Sequence, residues 1–278
     1  MHPICFTLGS FTVHWYGVLM ACGFLAALLH WIMLARRENL NTQFCSDLLF
    51  WIMIGGVIGG RLAYVISDAA YYLRHPLEII RIDKGGLIFY GGTIGVLVAL
   101  ILFARSRKIR ISWLADFVAS AAPLGHALGR IGCFMNGCCF GKPYDGIPSV
   151  TFPGGSPPWL RQQATGLLDS QALQSLPVHP VQLYEVAWNL LVYVVLLVAY
   201  RRRHRGGTVF AMYFMLYPLG RFVTETLRGT PRLFWGPMSA AQAISLVMII
   251  TGIVLFVMTH NSLERATRET SPPTPDAE

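Results

Sequence analysis

One stretch of the sequence, residues 123–142, combines side chains that could bind a small anion. Arg130, Asn136 and Lys142 stand there among closely spaced glycines, which let a backbone turn tightly and approach a ligand. A guanidinium group next to backbone N–H groups suits a phosphate. The stretch therefore indicates a phosphate-binding loop, and the alternative is a glycine-rich turn between helices that carries an interfacial arginine.

Three cysteines fall inside the same stretch, at Cys133, Cys138 and Cys139. Together with His126 they could bind zinc, although C-x₄-C-C is not a usual spacing of zinc ligands. Outside the cytoplasm, two of them could form a disulfide that ties down the loop. The third alternative is the packing of small apolar thiols. The six cysteines of the chain do not form a disulfide scaffold, and the others are Cys5, Cys22 and Cys45.

Charged side chains also occur within apolar runs, where each costs about 2–3 kcal/mol or more unless it is paired or hydrated. Arg221 and Glu225 are four residues apart and Arg228 follows three residues later, so the three share one helix face. This spacing fits a functional site or an internal ion pair with a snorkelling arginine. Arg61 could belong to a functional site, or it could form a structural ion pair, which we call a structural tie, with a carboxylate on a facing helix. The charges inside the runs are Arg61, Asp116, Glu185, Arg221 and Glu225.

The elements that carry these residues are predicted to be transmembrane helices. The 278 residues are 54% hydrophobic and 13% charged, whereas soluble domains carry about 25% charged residues. We therefore predict an all-α integral membrane protein, a bundle of about seven transmembrane helices with a periplasmic cap, in one domain over residues 1–263. The predicted spans are roughly 15–35, 47–66, 87–104, 113–129, 181–200, 208–227 and 238–258.

The arginines and lysines predict the orientation of these spans. Dense basic clusters follow the first, third and fifth spans, and such clusters mark the cytoplasmic side. The N-terminus is then periplasmic, the loop over 130–180 is the periplasmic cap, and residues 264–278 are a disordered cytoplasmic tail. Because the basic residues lie in short loops between apolar runs, the net charge of +8 does not indicate nucleic-acid binding. The clusters are Arg36 and Arg37; Arg105, Arg107, Lys108 and Arg110; and Arg201, Arg202, Arg203 and Arg205.

Four arginines converge on the outer half of the membrane in this orientation: Arg61, Arg130, Arg221 and Arg228. A guanidinium group is always charged and donates in a planar fork, which matches phosphate. Such a group of arginines at one depth indicates an anionic head group, and a membrane phospholipid whose tails stay in the bilayer meets that requirement.

Several spaced motifs resemble those of the bacterial prolipoprotein diacylglyceryl transferases, over nearly the whole membrane region. Their order along the chain makes the resemblance far more specific than any single motif. They are His14-Trp-Tyr16-Gly, Gly59-Gly-Arg61-Leu-Ala-Tyr64, Gly85-Gly-Leu-Ile-Phe-Tyr90-Gly-Gly92, Gly129-Arg130-Ile-Gly-Cys133-Phe-Met-Asn136-Gly with Gly141, His179-Pro-Val-Gln-Leu-Tyr184-Glu185, and Leu219-Gly-Arg221-Phe-Val-Thr-Glu225 with Arg228.

The resemblance implies a multi-pass enzyme of the bacterial inner membrane. We expect it to need no cofactor or metal, and nothing in the sequence requires more than a monomer. It would move the diacylglyceryl group of phosphatidylglycerol to the lipobox cysteine of a prolipoprotein signal peptide, forming a thioether and releasing glycerol phosphate. By resemblance, the catalytic residues are Arg130, Arg221 and Tyr90. The residues that bind phosphatidylglycerol are Arg130, Tyr16, Asn136, Gly137, Gly141, Glu225, Arg228 and Arg61.

The chain departs from the family pattern at three positions. Many members have histidine, often proposed as the base, where this chain has Tyr90. A tyrosine side chain, with a reference pKa of about 10, is a poorer base at neutral pH, so the base is left open. Asparagine is common at Cys133 and a carboxylate at Cys138. These changes favour one alternative, a relative that binds phospholipid or signal peptides without transfer, and the cysteines favour another, a thiol-redox protein.

Overall fold

The structure is a computed structural model. It describes residues 3–9, 11–81, 85–169, 171–202, 206–229, 233–236 and 238–270. The chain divides into two compact units, which are described separately. The first unit comprises Met1–Ala27 and Ala115–Glu278, and the second comprises Leu28–Leu114.

The described residues form helices and two short hairpins. The hairpins pair β1 (Ile4–Leu8) with β2 (Phe11–His14) and β3 (Leu233–Trp235) with β4 (Met238–Ser239). A 3-10 turn covers Pro76–Ile80. The helices are α1 (Trp15–Arg37), α2 (Gln43–Ser67), α3 (Ala69–Arg74), α4 (Phe89–Ser106), α5 (Ile111–Ala119), α6 (Ala122–Met135), α7 (Pro157–Ala164), α8 (Val181–Arg202), α9 (Thr208–Thr226) and α10 (Ala240–Thr270).

Five of these helices are long and apolar enough to cross a membrane, namely α1, α2, α4, α8 and the Ala240–His260 part of α10. They correspond to five of the predicted spans, with ends that differ by a few residues. α9 covers the predicted span 208–227 as one helix but is less apolar than these five, because it carries Arg221, Glu225 and several threonines.

The predicted span over 113–129 is wrong as a continuous helix. The chain forms α5 and then α6, with a break at Ser120 and Ala121. Pro123 favours the break, because proline has no N–H to donate and its ring clashes with the carbonyl of the preceding turn, so a first helical turn accommodates it best. Proline does not always break a helix, since α9 contains Pro218 in its interior. Pro123 lies in the first turn of α6.

In the second unit, α2 and α4 pack with their backbones in close contact. A Cβ atom on Gly55 would lie 2.6 Å from Cβ of Ala99, and one on Gly95 would lie 2.8 Å from Cα of Gly59. Glycine and alanine recur every fourth residue on both helices, which lets helices approach closely where lipid gives no hydrophobic driving force. This contact positions the start of α4, where Tyr90 lies.

In the first unit, α8 packs against α6 on one side and α9 on the other, and α9 also packs against α10. The indole of Trp188 lies against Gly220, where any Cβ would clash, and its Nε1 donates to the carbonyl of Leu216 at 2.9 Å. The close contact of α8 and α9 allows short charged contacts between them, described below.

The segment 130–180, which is predicted to form a periplasmic cap, begins as helix, because α6 continues to Met135. The following segment has little regular structure apart from α7 and isolated bridges, and it encloses a small core of Phe140, Phe152 and Val178. At the other end of the chain α10 runs to Thr270, so the predicted polar tail begins as helix. Residues 271–278 lie outside the described residues.

Candidate active site

The carboxylate of Glu185, on α8, joins side chains from two other helices. Its Oε2 pairs with Nε of Arg130 from α6, and its Oε1 lies 3.3 Å from an Nη atom of Arg221 from α9. Thr224 donates its hydroxyl to the same Oε1 at 3.0 Å. Glu185 is 5% exposed. A carboxylate removed from water in this way requires opposite charges and hydrogen bonds to offset its lost hydration.

Arg221 extends these contacts to a second carboxylate. Its other Nη atom lies 2.5 Å from Oε2 of Glu225, and Nε of Arg228 lies 3.7 Å from the same oxygen. We call Arg130, Glu185, Arg221, Glu225 and Arg228 the charge network. It holds three guanidinium groups and two carboxylates, an excess of one positive charge. Among the described residues, Nε of Arg228 and Oε2 of Glu225 are both buried without a hydrogen-bond partner. The network therefore suits a singly charged anion.

Backbone pairing fixes the position of Arg228, which follows the end of α9. The N–H of Gly229 donates to the carbonyl of Phe140 at 3.0 Å, and the N–H of Lys142 donates to the carbonyl of Leu227 at 2.8 Å. These two hydrogen bonds flank Arg228 on both sides. The loop after α6 thus holds the last arginine of the charge network in place.

The glycine N–H groups that were predicted to bind a phosphate donate hydrogen bonds to backbone carbonyls of the protein instead. Gly137 donates to the carbonyl of Phe134 at 3.1 Å, and Gly141 donates to that of His179 at 3.1 Å. The hypothesis of a backbone anion site is therefore wrong at these two glycines. Gly141 is needed for close packing instead, since a Cβ there would lie 2.5 Å from both Cβ and O of His179.

α6 ends in a Schellman turn that gathers the three neighbouring thiols. Gly137 is left-handed (φ 71°), and the N–H of Cys138 donates to the carbonyl of Cys133 at 3.1 Å. In this turn the residue after the glycine packs on the residue five positions earlier, which brings Cys138 to Cys133. Cys139 follows, also with positive φ (61°). The three Sγ atoms lie within 4.8 Å of one another.

All six cysteines are free, so the predicted disulfide alternative is not what the structure contains. In the cluster, thiol hydrogen bonds from Cys133 and Cys138 lower the pKa of the Cys139 thiol, and the charges of Arg228 and Arg130 act in the same direction. Burial opposes this shift but is the smaller effect. A first deprotonation of the cluster is thereby favoured at Cys139.

The predicted lipid contacts Tyr16 and Asn136 share one groove of about 580 Å³ in the first unit. Tyr16 packs on α6, because Gly132 leaves room for its ring: a Cβ there would lie 3.2 Å from Cδ2 of Tyr16. Gly132 stands two residues after Arg130 on α6, so the groove borders the helix that supplies Arg130 to the charge network. The groove is lined by Thr12, Val13, His14, Tyr16, Gly17 and Asn136.

Two further polar residues of this unit have structural contacts. Asp116 is fully buried, and its two carboxylate oxygens accept the N–H groups of Gly207 and Phe210 at 2.8 Å each, which caps the start of α9. His126, the suggested fourth zinc ligand, lies elsewhere: its Nδ1 is 3.3 Å from the Tyr213 hydroxyl and its ring is 4.7 Å from that of Tyr217.

Within the described part of the chain, Arg61 of the second unit donates to backbone carbonyls and not to a carboxylate. Its Nε donates to Ile79 at 2.8 Å, and one Nη donates to Glu78 at 2.6 Å. The other Nη donates to Gly85 at 3.1 Å and Gly86 at 3.2 Å. These contacts fit the structural-tie alternative, with carbonyls in place of the expected carboxylate. The head-group role of Arg61 stays a prediction.

Tyr90 also belongs to the second unit, in the first turn of α4. It is 57% exposed, and its ring contacts that of Phe89 at 5.8 Å between centroids. An exposed hydroxyl in a first helical turn is accessible to a substrate. Its catalytic role stays a prediction.

The sequence matches known proteins along nearly all of its length. Residues 3–258 match the family model described as "Prolipoprotein diacylglyceryl transferase". The chain belongs to the prolipoprotein diacylglyceryl transferase family. Curated relatives named phosphatidylglycerol–prolipoprotein diacylglyceryl transferase include those of Bordetella avium, 37% identical over 92% of this chain and 94% of that protein, and Geobacter sulfurreducens, 35% identical over 92% and 94%. That of Nostoc is 34% identical over 90% and 87%.

In this member of the prolipoprotein diacylglyceryl transferase family, the charge network contains four of the predicted site residues and one residue that was not predicted there. Arg130, Arg221, Glu225 and Arg228 are brought together as predicted. The acceptor at their centre, Glu185, was recognised as a charge inside a span and within a matching motif but was not assigned to the site. Glu185 lies about four helical turns before Arg201 and Arg202, the basic residues that end α8. Because a charge inside a span needs a partner, this distance indicates that the partner comes from another helix.

Proposed function

We propose that this chain transfers the diacylglyceryl group of phosphatidylglycerol to the lipobox cysteine thiol of a prolipoprotein, the first step of bacterial lipoprotein maturation. The charge network is the observation that carries the proposal, in a chain that matches the family over residues 3–258. Its single excess positive charge complements the single negative charge of a phosphodiester head group. Nearby, the groove with Tyr16 and Asn136 offers space for the glycerol or for part of an acyl chain.

In the proposed reaction, the thiolate sulfur attacks the glycerol carbon that carries the phosphate. A C–S bond forms, the C–O bond breaks, and its electron pair leaves with the phosphate oxygen as glycerol phosphate. The thiol proton goes to a base. Because the leaving phosphate gains negative charge, donors fixed beforehand around it lower the barrier. Arg130 holds the diester phosphate and Arg221 stabilises the leaving oxygen in this proposal, both oriented by Glu185.

We propose Tyr90 as the group that orients or deprotonates the incoming thiol. The support is its place in the matching motif and its exposure in the first turn of α4. Gly137 and Gly141 contribute through the shape of the loop after α6, and not through their N–H groups. Glu225 and Arg228 complete the charge balance around the phosphate.

We further propose that the chain crosses the bacterial inner membrane seven times as a monomer, with α5 and α6 together forming one broken crossing and α9 another. The N-terminus and the 130–180 segment then face the periplasm, and the C-terminus faces the cytoplasm. Alkaline phosphatase fused after residue 150 is expected to be active, and the same reporter after residue 107 is expected to be inactive. The reverse result would overturn the orientation.

A transfer assay tests the proposed function. Purified protein in detergent is mixed with phosphatidylglycerol and a lipobox peptide, or with the same peptide carrying serine for cysteine. We expect a mass gain of one diacylglyceryl group on the cysteine peptide alone. Arg130→Ala is expected to lower the rate at least about 100-fold. Arg161→Ala, which changes an exposed arginine of α7, serves as the matched control.

Arg130→Lys separates charge from geometry in the same assay, because lysine keeps the charge but cannot form a planar fork. A folded Arg130→Ala protein with full transfer activity would overturn the phosphate assignment. Phosphatidylglycerol binding without any mass gain on the peptide would mean that the chain binds lipid without transfer.

A further inference from the structure

The cluster of Cys133, Cys138 and Cys139 has a geometry that the transfer reaction does not use. Three thiols approach one another around the Schellman turn, with all Sγ atoms within 4.8 Å. All three are half-buried and free. Thiolates are the preferred ligands of soft d¹⁰ cations, and a mutual approach of three of them is the arrangement that such a cation needs.

We propose that these three thiols form a binding site for a thiophilic d¹⁰ metal cation such as Zn²⁺. A tetrahedral zinc with Zn–S bonds of about 2.3 Å places its sulfurs about 3.8 Å apart. The sulfurs therefore reach the cation by small side-chain rotations. Three protein ligands leave the fourth position of a tetrahedral site to a water molecule or another added ligand.

The unusual C-x₄-C-C spacing follows from the turn. Cys133 and Cys138 stand five residues apart, at the two positions that a Schellman turn brings into contact. The left-handed Gly137 lies between them and fixes the geometry of the turn. The carbonyl of Cys138 also accepts a hydrogen bond from Nε2 of Gln182 at 2.7 Å, which ties the turn to α8. The ligands are thus held on a rigid scaffold.

The charge balance around the site also accommodates the cation. Metal binding deprotonates the coordinating thiols, so a divalent cation with three thiolates carries one net negative charge. Cys133 follows Arg130 by one helical turn on α6, so the cluster lies beside the charge network. The excess positive charge of the charge network therefore stabilises the loaded cluster.

Metal titration of the reduced protein tests the site without any transfer assay. Two variants are compared in detergent with a phosphine reductant: one with Cys133, Cys138 and Cys139 changed to serine, and a matched control with Cys5, Cys22 and Cys45 changed to serine. Co²⁺ serves as the probe, because thiolate-to-cobalt charge transfer and tetrahedral ligand-field bands report its ligands directly.

We expect wild type and the matched control to bind about one Co²⁺ per chain with thiolate charge-transfer bands, and to release it to Zn²⁺. Each single serine change within the cluster is expected to weaken binding at least about tenfold. Equal binding by the cluster variant, or no charge-transfer band in reduced wild type, would overturn the proposal. Because the readout is spectroscopic, a protein that binds cobalt but transfers no lipid would refute the proposed function alone.

Discussion

Arg130 and Arg221 are held by the two oxygens of one carboxylate, that of Glu185. The arginines come from α6 and α9, which reach each other through α8. Because they share one acceptor, both guanidinium groups are oriented before a ligand binds. The free energy of activation then includes little cost for orienting them. The proposed transfer depends on this relationship more than on either arginine alone.

Glu185→Gln is the direct test of that arrangement. The amide keeps the shape of the side chain but removes the charge that both arginines face. We expect the free energy of unfolding to fall by about 3 kcal/mol, because a buried charge loses its partner. The transfer rate should fall at least about 100-fold, while binding of phosphatidylglycerol stays as tight or becomes tighter. Thermal unfolding, lipid binding and kinetics check these outcomes.

Asp145→Asn is the control for Glu185→Gln, since Asp145 is an exposed carboxylate of the loop after α6. It should leave stability and rate unchanged. Full transfer activity in the Glu185→Gln protein would show that the shared acceptor is not needed.

Asp116→Ala should destabilise the first unit without acting on the chemistry directly. The change removes the acceptor of two N–H groups at the start of α9, and uncapped buried donors cost about 1–3 kcal/mol each. We expect a lower unfolding temperature and, in protein that remains folded, a Michaelis constant for phosphatidylglycerol close to that of wild type. A large rise in that constant with unchanged stability would contradict the capping role.

Gly141→Ala tests the packing between the loop after α6 and the start of α8. The new Cβ would lie 2.5 Å from two atoms of His179, so the loop must move, at a cost of about 1–3 kcal/mol. Because Arg228 is held by this loop, the transfer rate should fall with the stability. Gly125→Ala is the matched control, since its nearest neighbour would be a carbonyl oxygen at 3.9 Å. Equal behaviour of the two variants would show that the loop adapts freely.

The sequence predicted most helices because their signal is local. Long apolar runs placed α1, α2, α4, α8 and the start of α10 within a few residues, whereas α10 runs to Thr270, well beyond its predicted end. The fold class needed no knowledge of contacts between helices.

What the sequence missed depends on contacts between distant segments. Pro123 weakens the predicted span over 113–129, but whether a proline breaks a helix depends on its surroundings, since α9 contains Pro218 in its interior. The role of Glu185 appears only when α6, α8 and α9 are placed side by side. The glycine N–H groups of the loop were assigned to an anion because their partners, among them the carbonyl of His179, are far away or hidden in a turn.

Tyr90→Phe and Tyr90→His together test the proposed role of Tyr90. Phenylalanine removes the hydroxyl and should lower the transfer rate at pH 7 with little change in lipid binding. Histidine supplies an imidazole, which accepts a proton above about pH 6.5. If position 90 provides the base, the histidine variant is at least as active as wild type at pH 7 and loses activity below about pH 6.5. A Phe variant with full activity places the base elsewhere.

Zinc should compete with phosphatidylglycerol if both proposals hold. A zinc ion on the three thiolates leaves one net negative charge beside Arg130 and Arg228, whereas the metal-free cluster is neutral when its three thiols are protonated. Zinc loading of the protonated cluster therefore offsets the excess positive charge of the charge network. An anionic head group then loses much of its electrostatic attraction, and we expect its Michaelis constant to rise about tenfold, equivalent to about 1.4 kcal/mol, with little change in the maximal rate. Kinetics with and without zinc check this, using the triple-serine cluster variant as control. Equal inhibition of that variant would show that zinc acts through other residues, because the cluster variant keeps the charge network and lacks only the thiols.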